Sequence, residues 1–229
     1  MSNAHINRLS APKTWQIKRK GTKYIAKPLP GPHKTENSMP ISTIFKESID
    51  YARNTREVKK ILHTNEIKID GITRKDTKFP VGIFDVMEFS STGEYFRIIL
   101  NKKGKIDILK IKKDEASIKP CKITGKTMVN GKVQLNLYDG KNITVDKDSF
   151  KVGDTVFIEL PGQKISKHVK LDKKSTIFLI GGKHIGETGH VEDISKNKII
   201  YKNKEGEIIE TSKAYAFVVG DSKPLITIE

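Results

Sequence analysis

The chain has 229 residues, with 43 Lys plus Arg against 27 Asp plus Glu, a net charge of +16 and a sequence pI near 9.7. Apolar residues make up 36%, below the roughly 45–50% typical of globular domains, which favours several small, wet modules over one large enzyme core. Length alone suggests one to two domains, and small β modules up to three. The longest apolar run, Ala214 to Val219, is far short of the roughly 20 residues of a membrane span, and a charge this positive attracts polyanions, nucleic acid first and an anionic membrane surface second.

Residues 1 to 40 carry Arg8, Lys13, Lys18, Arg19, Lys20, Lys23, Lys27 and Lys34 against one acid, Glu36. Pro28, Pro30 and Pro32 exclude helix from the middle of the segment. No helical or strand periodicity runs through it, and the segment is expected to be an extended basic arm. Trp15, the one tryptophan, sits among the cations. Its ring can stack on an unpaired base or anchor the arm on its own protein, and both readings stay open.

Ile41, Ile44, Phe45, Ser48, Ile49 and Ala52 follow the spacing of one amphipathic helical face, with Pro40 at its start. Asn54 followed by Glu57 resembles a capping box and opens a second helix. Val58, Ile61 and Leu62 form its apolar stripe. At about 100° per residue, Arg56, Lys59 and Lys60 project to the other side, and Arg53 joins them if the helix frays by a residue. Ile67 to Ile69, the turn Asp70-Gly71, then Ile72 to Arg74 read as a tight hairpin. Lys68, Arg74, Lys75 and Lys78 add to the cations of the helix. A charge run is usually just a solvated face. Here a compact helix–helix–hairpin module would gather many of these groups on one surface, which favours nucleic-acid binding.

From about residue 81 the pattern is β. Val133, Leu135 and Leu137 alternate with polar residues, Asn130-Gly131 and Asp139-Gly140 turn the chain, and Ile143 and Val145 complete a hairpin. Further strands are expected at 95–100, 106–111, 156–160, 177–180, 191–194, 198–202, 207–210 and 215–219. Short strands with frequent turns fit small barrels or sandwiches.

Catalytic and metal motifs fail on inspection. Gly125-Lys126-Thr127 ends like a P-loop, but the required earlier glycine is Pro120. In the Gly181, Gly186 and Gly189 cluster, Gly186 is followed by Glu187, which would repel a phosphate, rather than by a lysine. Six scattered histidines show no zinc spacing, and one cysteine, Cys121, excludes a disulfide framework and a cysteine-based zinc finger. No secretory segment is evident, so the expected compartment is cytoplasmic. No cofactor, metal, small-molecule substrate or membrane is expected, and the chain is read as no enzyme.

Residues 54–62 and 67–71 together resemble the S-four RNA-binding domain. Arg8-Leu9-Ser10-Ala11-Pro12-Lys13-Thr14-Trp15, Pro30-Gly31-Pro32-His33 and Lys78-Phe79-Pro80-Val81-Gly82-Ile83-Phe84-Asp85-Val86 resemble one family, the S-four-E small-subunit ribosomal proteins of archaea and eukaryotes. The stretch from Gly181 to Val191 is similar to a KOW motif, with Gly189 as its turn glycine. Ending about ten residues past Val219, the chain looks like the shorter archaeal form. The resemblance implies an α+β, mostly β protein. Its parts would be a basic arm (1–40), an S-four-type RNA-binding domain (41–85), a central β domain (86–172) and an SH3-like barrel with a KOW motif (173–229). It implies a structural role in the small ribosomal subunit, with rRNA and neighbouring ribosomal proteins as partners. Carried over, the RNA contacts are Arg8, Lys13, Trp15, Lys18, Arg19 and Lys20 in the arm. Arg53, Arg56, Lys59, Lys60, Lys68, Arg74, Lys75 and Lys78 follow in the module, and Lys183 and His184 near the end. The competing readings are a transcription or translation factor using a KOW-type module to bind protein and RNA, and an RNA-modifying enzyme that borrows the binding domain.

Overall fold

The computed structural model describes residues 5–64, 66–146 and 148–228. The first four residues of the expected arm and the last of the final module lie outside them. The fold is mostly β, with few helices, and divides into two compact units: residues 1–100 with 105–117, and residues 101–104 with 118–229.

In chain order the first unit holds β1 (His5–Asn7), β2 (Tyr24–Ala26), β3 (Ser38–Pro40), α1 (Ile41–Thr43), α2 (Thr55–Thr64), β4 (Ile67–Ile69), β5 (Ile72–Thr73), β6 (Pro80–Gly82), β7 (Val86–Phe89), β8 (Glu94–Leu100), β9 (Ile106–Ile111) and α3 (Lys113–Ala116). Strands β1 and β2 pair, as do β3 and β6, and a five-stranded sheet runs β5-β4-β7-β8-β9. Asp70 and Gly71 both have positive φ, 51° and 76°, the conformation a two-residue hairpin needs to match strand twist. Ile41, Ile44, Phe45, Val58, Leu62, Ile67, Val81, Met87, Phe89 and Ile98 are buried, each such side chain contributing about 1.5–3 kcal/mol of transfer free energy.

Three expectations change here. The segment before residue 40 is folded rather than extended: it forms the β1–β2 pair, and Trp15, Ile25 and Met39 are buried. The first helix is not a regular one over 41–52. After α1 the chain makes a π-helical turn, Ile44–Ser48, in which Ile49 N–H donates to Ile44 C=O. Asp50 then adopts φ 58° and ends it. Ile41, Ile44, Phe45 and Ala52 still face the core, so the apolar spacing is realised through a wound turn and its exit. Finally, the boundary expected at residue 85 falls between strands β6 and β7, and β7 pairs with β4 of the hairpin. Residues 86–117 therefore complete the first unit rather than begin the next.

The second unit holds β10 (Ile118–Val129), β11 (Lys132–Leu137), β12 (Asn142–Val145), β13 (Thr155–Glu159), β14 (Lys164–Val169), β15 (Thr176–Leu179), β16 (Thr188–Ile194), β17 (Lys198–Asn203), β18 (Ile208–Ser212) and β19 (Ala216–Gly220). They form two five-stranded sheets, β12-β11-β10-β13-β14 and β18-β17-β16-β15-β19. The first closes over Cys121, Ile123, Val133, Leu135, Leu137, Val156 and Ile158. Strand β10 serves both halves of that sheet: 118–122 pair with β13, then a bulge between Ile123 and Gly125 redirects it onto β11, as bulges do at sheet corners. The abortive P-loop segment 123–127 lies within this strand.

Two buried charges tie the second unit together. Lys122 is 6% exposed, and its ammonium donates to the carbonyls of Lys213, Ala214 and Ala216 at 3.0, 2.9 and 2.6 Å. Burial, helped by the nearby Lys213 charge, lowers its pKa to about 8. Asp139 lies 3.2 Å from both Lys119 and Lys141. Burial opposes its charge, but the two ammonium groups outweigh that and hold its carboxyl below the usual carboxylate range.

Candidate nucleic-acid interface

Helix α2 is built to keep one side dry and the other wet. Its N-terminus is closed reciprocally: Glu57 N–H donates to Asn54 Oδ1 at 2.9 Å, while Glu57 Oε2 accepts from Arg53 N–H at 2.7 Å. That is the capping-box arrangement, which fixes where the helix begins. Val58 and Leu62 are fully buried and Ile61 is half-buried. Arg56, Lys59 and Lys60 are exposed on the far side, and Arg53 is exposed just before the cap. None of these four has an anionic partner among the described residues. The helical period also puts His63, exposed, between Arg56 and Lys59 on that outward arc. The sequence reading passed over it, although the same wheel that selects Arg56 and Lys60 includes it.

The hairpin after α2 contributes unequally. Lys75 is exposed and Lys78 half-exposed, and the side chain of neither is paired among the described residues. Lys68 lies 3.7 Å from Glu88, a loose pair across β4 and β7. The Arg74 guanidinium sits 4.4 Å from the centroid of the Phe79 ring, a cation–π contact that fixes its stem. Three acids of this module accept from backbone N–H groups: Glu57 at the helix cap, Asp70 from Val86 N–H, and Asp76 from Lys78 N–H.

The N-terminal segment separates into structural and exposed cations. Arg8 is 9% exposed. Its guanidinium bridges Glu47 at 2.9 Å, the Lys18 carbonyl at 2.9 Å and the Thr22 hydroxyl at 3.1 Å. Arg19 donates to the carbonyls of Ala11 and Pro12 at 2.8 and 3.1 Å and reaches toward those of Arg8 and Leu9. Trp15 is 1% exposed, with Nε1–H donating to Thr35 C=O at 3.2 Å. Of the two readings of that ring, the structure realises the anchor: no face is open to a base. Arg8 is likewise a scaffold for the loop rather than a free contact. Lys13, Lys18 and Lys20 remain exposed and unpaired among the described residues. The sequence could not sort these cations, because burial of Arg8 depends on Glu47, 39 residues away.

In the second unit, Lys183 is exposed in the turn after β15, while His184 Nδ1 lies 3.0 Å from Glu187 Oε1. That carboxylate also accepts from the Tyr201 hydroxyl at 3.2 Å, and burial with the Glu187 charge raises the Tyr201 pKa. Gly189, expected at a turn, lies instead in β16, paired with Ile177 and Asn203. A Cβ there would meet Lys202 O and the Tyr201 ring at 2.5 Å, so glycine is required by close packing. The turn glycines of the segment are Gly182 and Gly186, with φ 87° and 80°. Many lysines of this unit are neutralised: Lys126 by Asp148, Lys132 by Asp146, Lys167 by Asp221, Lys173 by Asp193 and Lys198 by Glu210.

Two family models match, the RS4NT (NUC023) domain over residues 2–36 and Ribosomal family S4e over residues 92–165. The chain is 37% identical to the small ribosomal subunit protein eS4 of Methanococcus maripaludis over 239 aligned positions, covering 98% of this chain and 97% of the relative. It is also 37% identical to the protein of that name from Methanocaldococcus jannaschii, with the same coverage. Among solved structures, the crystal structure of the 30S ribosomal protein S4e from Thermoplasma acidophilum superposes with a TM-score of 0.70 at 30% identity. That match covers 81% of this chain and 96% of the other.

Proposed function

The chain belongs to ribosomal family S4e, and from that premise we propose that it is held to small-subunit rRNA by the outward face of α2 and the hairpin beside it. As a member it is a structural constituent of the small ribosomal subunit, at work in the cytoplasmic ribosome. The observation that carries the binding reading is the row Arg53, Arg56, Lys59 and Lys60, exposed and without anionic partners among the described residues. A cation already paired gains little from a phosphate. An unpaired one releases a phosphate's condensed counterions when it binds. Arg53 and Arg56 can in addition bridge phosphate oxygens in bidentate fashion, and selectivity comes from groove shape and 2′-hydroxyl contacts.

In this reading residues 41–117 are an S-four-type module enlarged by strands β7 to β9, with Lys75, Lys78, Lys68 and Arg74 flanking the helix row. Lys13, Lys18 and Lys20 supply a second patch from the folded N-terminal segment, whose shape Arg8, Arg19 and Trp15 maintain. Residues 118–169 are the central β domain, and 176–220 an SH3-like barrel of KOW type in which Lys183 is the exposed contact beside His184. The role is one of scaffolding, with neighbouring ribosomal proteins as further partners and no catalytic step.

The test is ultraviolet crosslinking of the full chain to in-vitro transcribed small-subunit rRNA, followed by peptide mapping. Adducts are expected on peptides spanning 53–64 and 67–78, with a weaker set on 13–23. Adducts confined to 118–228 would overturn the assignment.

A further inference from the structure

The second unit holds an aromatic ring that rRNA binding through α2 leaves unused. Tyr215 is 43% exposed, in the turn between β18 and β19. Its backbone is fixed on both sides: Tyr215 N–H donates to Ser212 C=O at 3.1 Å, and Ile180 N–H donates to Tyr215 C=O at 3.0 Å. The ring is seated against the pair Gly181-Gly182. A Cβ at Gly181 would meet Tyr215 Cδ1 and Cε1 at 2.6 and 2.9 Å, and one at Gly182 would meet Cδ2 and Cε2 at 3.3 and 3.6 Å. Gly182 also needs to be glycine for its φ of 87°. Gly181 has no such φ, so the close approach of the ring is what excludes a side chain there. The ring is therefore held on one side and open to solvent on the rest.

Its surroundings are cationic. Ala214, Gly182 and Lys183 are exposed beside it in the chain and in its seat, and Lys213 is half-buried. Neither lysine has an anionic partner among the described residues. No acid occurs in residues 180–186 or 211–217, the two segments that build the seat. Glu187 and Glu210, which flank these segments, are engaged. Glu187 lies 3.0 Å from His184 and accepts from the Tyr201 hydroxyl, and Glu210 is paired with Lys198. A protein partner would need an apolar patch around the ring to form a dry contact. Here the exposed neighbours are glycine, alanine and lysine. A held aromatic face beside unneutralised cations is what an unpaired base and its phosphate require.

We propose that Tyr215 is a stacking platform for an unpaired nucleotide of the small-subunit rRNA, the base lying on the open side of the ring and the phosphate held by Lys183. Because every base has a π-face, the platform reads single-strandedness rather than sequence. The inference rests on the reading of the chain as an rRNA-binding constituent and deepens it, adding a contact in the second unit that does not depend on the α2 row.

The test compares the full-length parent with Tyr215→Phe, Tyr215→Leu and Lys183→Ala for affinity to in-vitro transcribed small-subunit rRNA over a range of monovalent salt. Tyr215→Phe keeps the ring and should bind within about twofold of the parent. Tyr215→Leu keeps an apolar side chain over the glycines but no π-face. It should bind about tenfold more weakly with the parent's salt slope, because stacking releases no counterions. Lys183→Ala should instead make the logarithmic slope shallower by about 0.7, one phosphate contact on a single strand. Affinity of Tyr215→Leu equal to the parent's overturns the platform, as does an equal loss from the Phe and Leu variants. If Tyr215→Leu keeps its affinity for free rRNA yet is lost from washed small subunits, the ring faces a protein and the proposal falls. A second arm needs no variant. The parent is irradiated on the rRNA, then digested with nuclease and trypsin. The peptide beginning at Ala214 should carry a nucleotide remnant, and a bare peptide overturns the platform even if the variants fold poorly. Arg56→Glu with Lys60→Glu, run alongside, tests the α2 reading separately: unchanged affinity there, with Tyr215→Leu weakened, sinks the α2 row and leaves the platform standing.

Discussion

The outer face of α2 and the tip of the β10–β11 hairpin are both protrusions flanked by basic residues, yet they present opposite chemistry. On α2 the cations have no anionic partner among the described residues, and the Glu57 carboxylate is held at the helix cap. On the hairpin, Lys126 and Lys132 are matched by Asp148 and Asp146, and Met128 and Val129 stand exposed at its tip. A net charge of +16 is shared by both units, so total charge does not locate the binding surface. What distinguishes the two is whether each cation already has a partner.

The largest effect should come from breaking the paired side of this comparison where it is buried. Asp139→Ala leaves the ammonium groups of Lys119 and Lys141 without their carboxylate, and should destabilise the second unit by about 3–5 kcal/mol. Chemical denaturation followed by tryptophan-independent circular dichroism measures it. A loss under about 1 kcal/mol would mean the buried charges are satisfied without it.

Next comes the unpaired side. Arg56→Glu with Lys60→Glu should weaken rRNA binding by on the order of a hundredfold at moderate salt, with the thermal midpoint unchanged, because both side chains face solvent. If folding is lost instead, the face is not the free surface described here.

A smaller effect lies in Lys122. Its folded pKa of about 8 lies below the ordinary lysine value of 10.5, so between those values the folded chain holds fewer protons than the unfolded one. Stability should therefore rise with pH across that window, by about 1–2 kcal/mol, since the three carbonyl acceptors offset part of the burial effect. Lys122→Met removes the titration. Melts of both proteins from pH 7.5 to 10.5 should show the parent gaining on the variant, and parallel curves would refute the assignment.

The smallest effect is expected from Lys132→Ala and Lys198→Ala. Both lysines are solvent-exposed and already paired, with Asp146 and Glu210. Neither rRNA affinity nor the thermal midpoint should move beyond experimental scatter.

Much of this contrast was readable from the residues alone. The stripe Val58, Ile61, Leu62 places α2 and its cationic side, and Asp70-Gly71, Asn130-Gly131 and Asp139-Gly140 mark turns, with Asp70, Gly71, Asn130, Gly131 and Gly140 at positive φ. Strand β9 falls where alternation put it. Local pattern failed where structure depends on distant partners. Trp15 is covered by the turn at Thr35, and Arg8 is neutralised by Glu47; neither contact leaves a periodic trace. Strand β14, Lys-Ile-Ser-Lys-His-Val, was missed because an exposed edge strand needs no alternating apolar face. Gly189 was assigned to a turn on motif likeness, when the Tyr201 ring and Lys202 carbonyl are what require it. The arm's cations looked equivalent in sequence, and only packing separates Arg8 and Arg19 from Lys13, Lys18 and Lys20.

The most direct test of the central claim is the salt dependence of rRNA affinity, measured for the parent chain and for Arg56→Glu with Lys60→Glu over a range of monovalent salt. The parent should lose on the order of a thousandfold between low and moderate salt, and the variant's logarithmic slope should be shallower by about 1.4 or more, two phosphate contacts fewer. Equal slopes for the two proteins, or a flat response from the parent, would contradict the account.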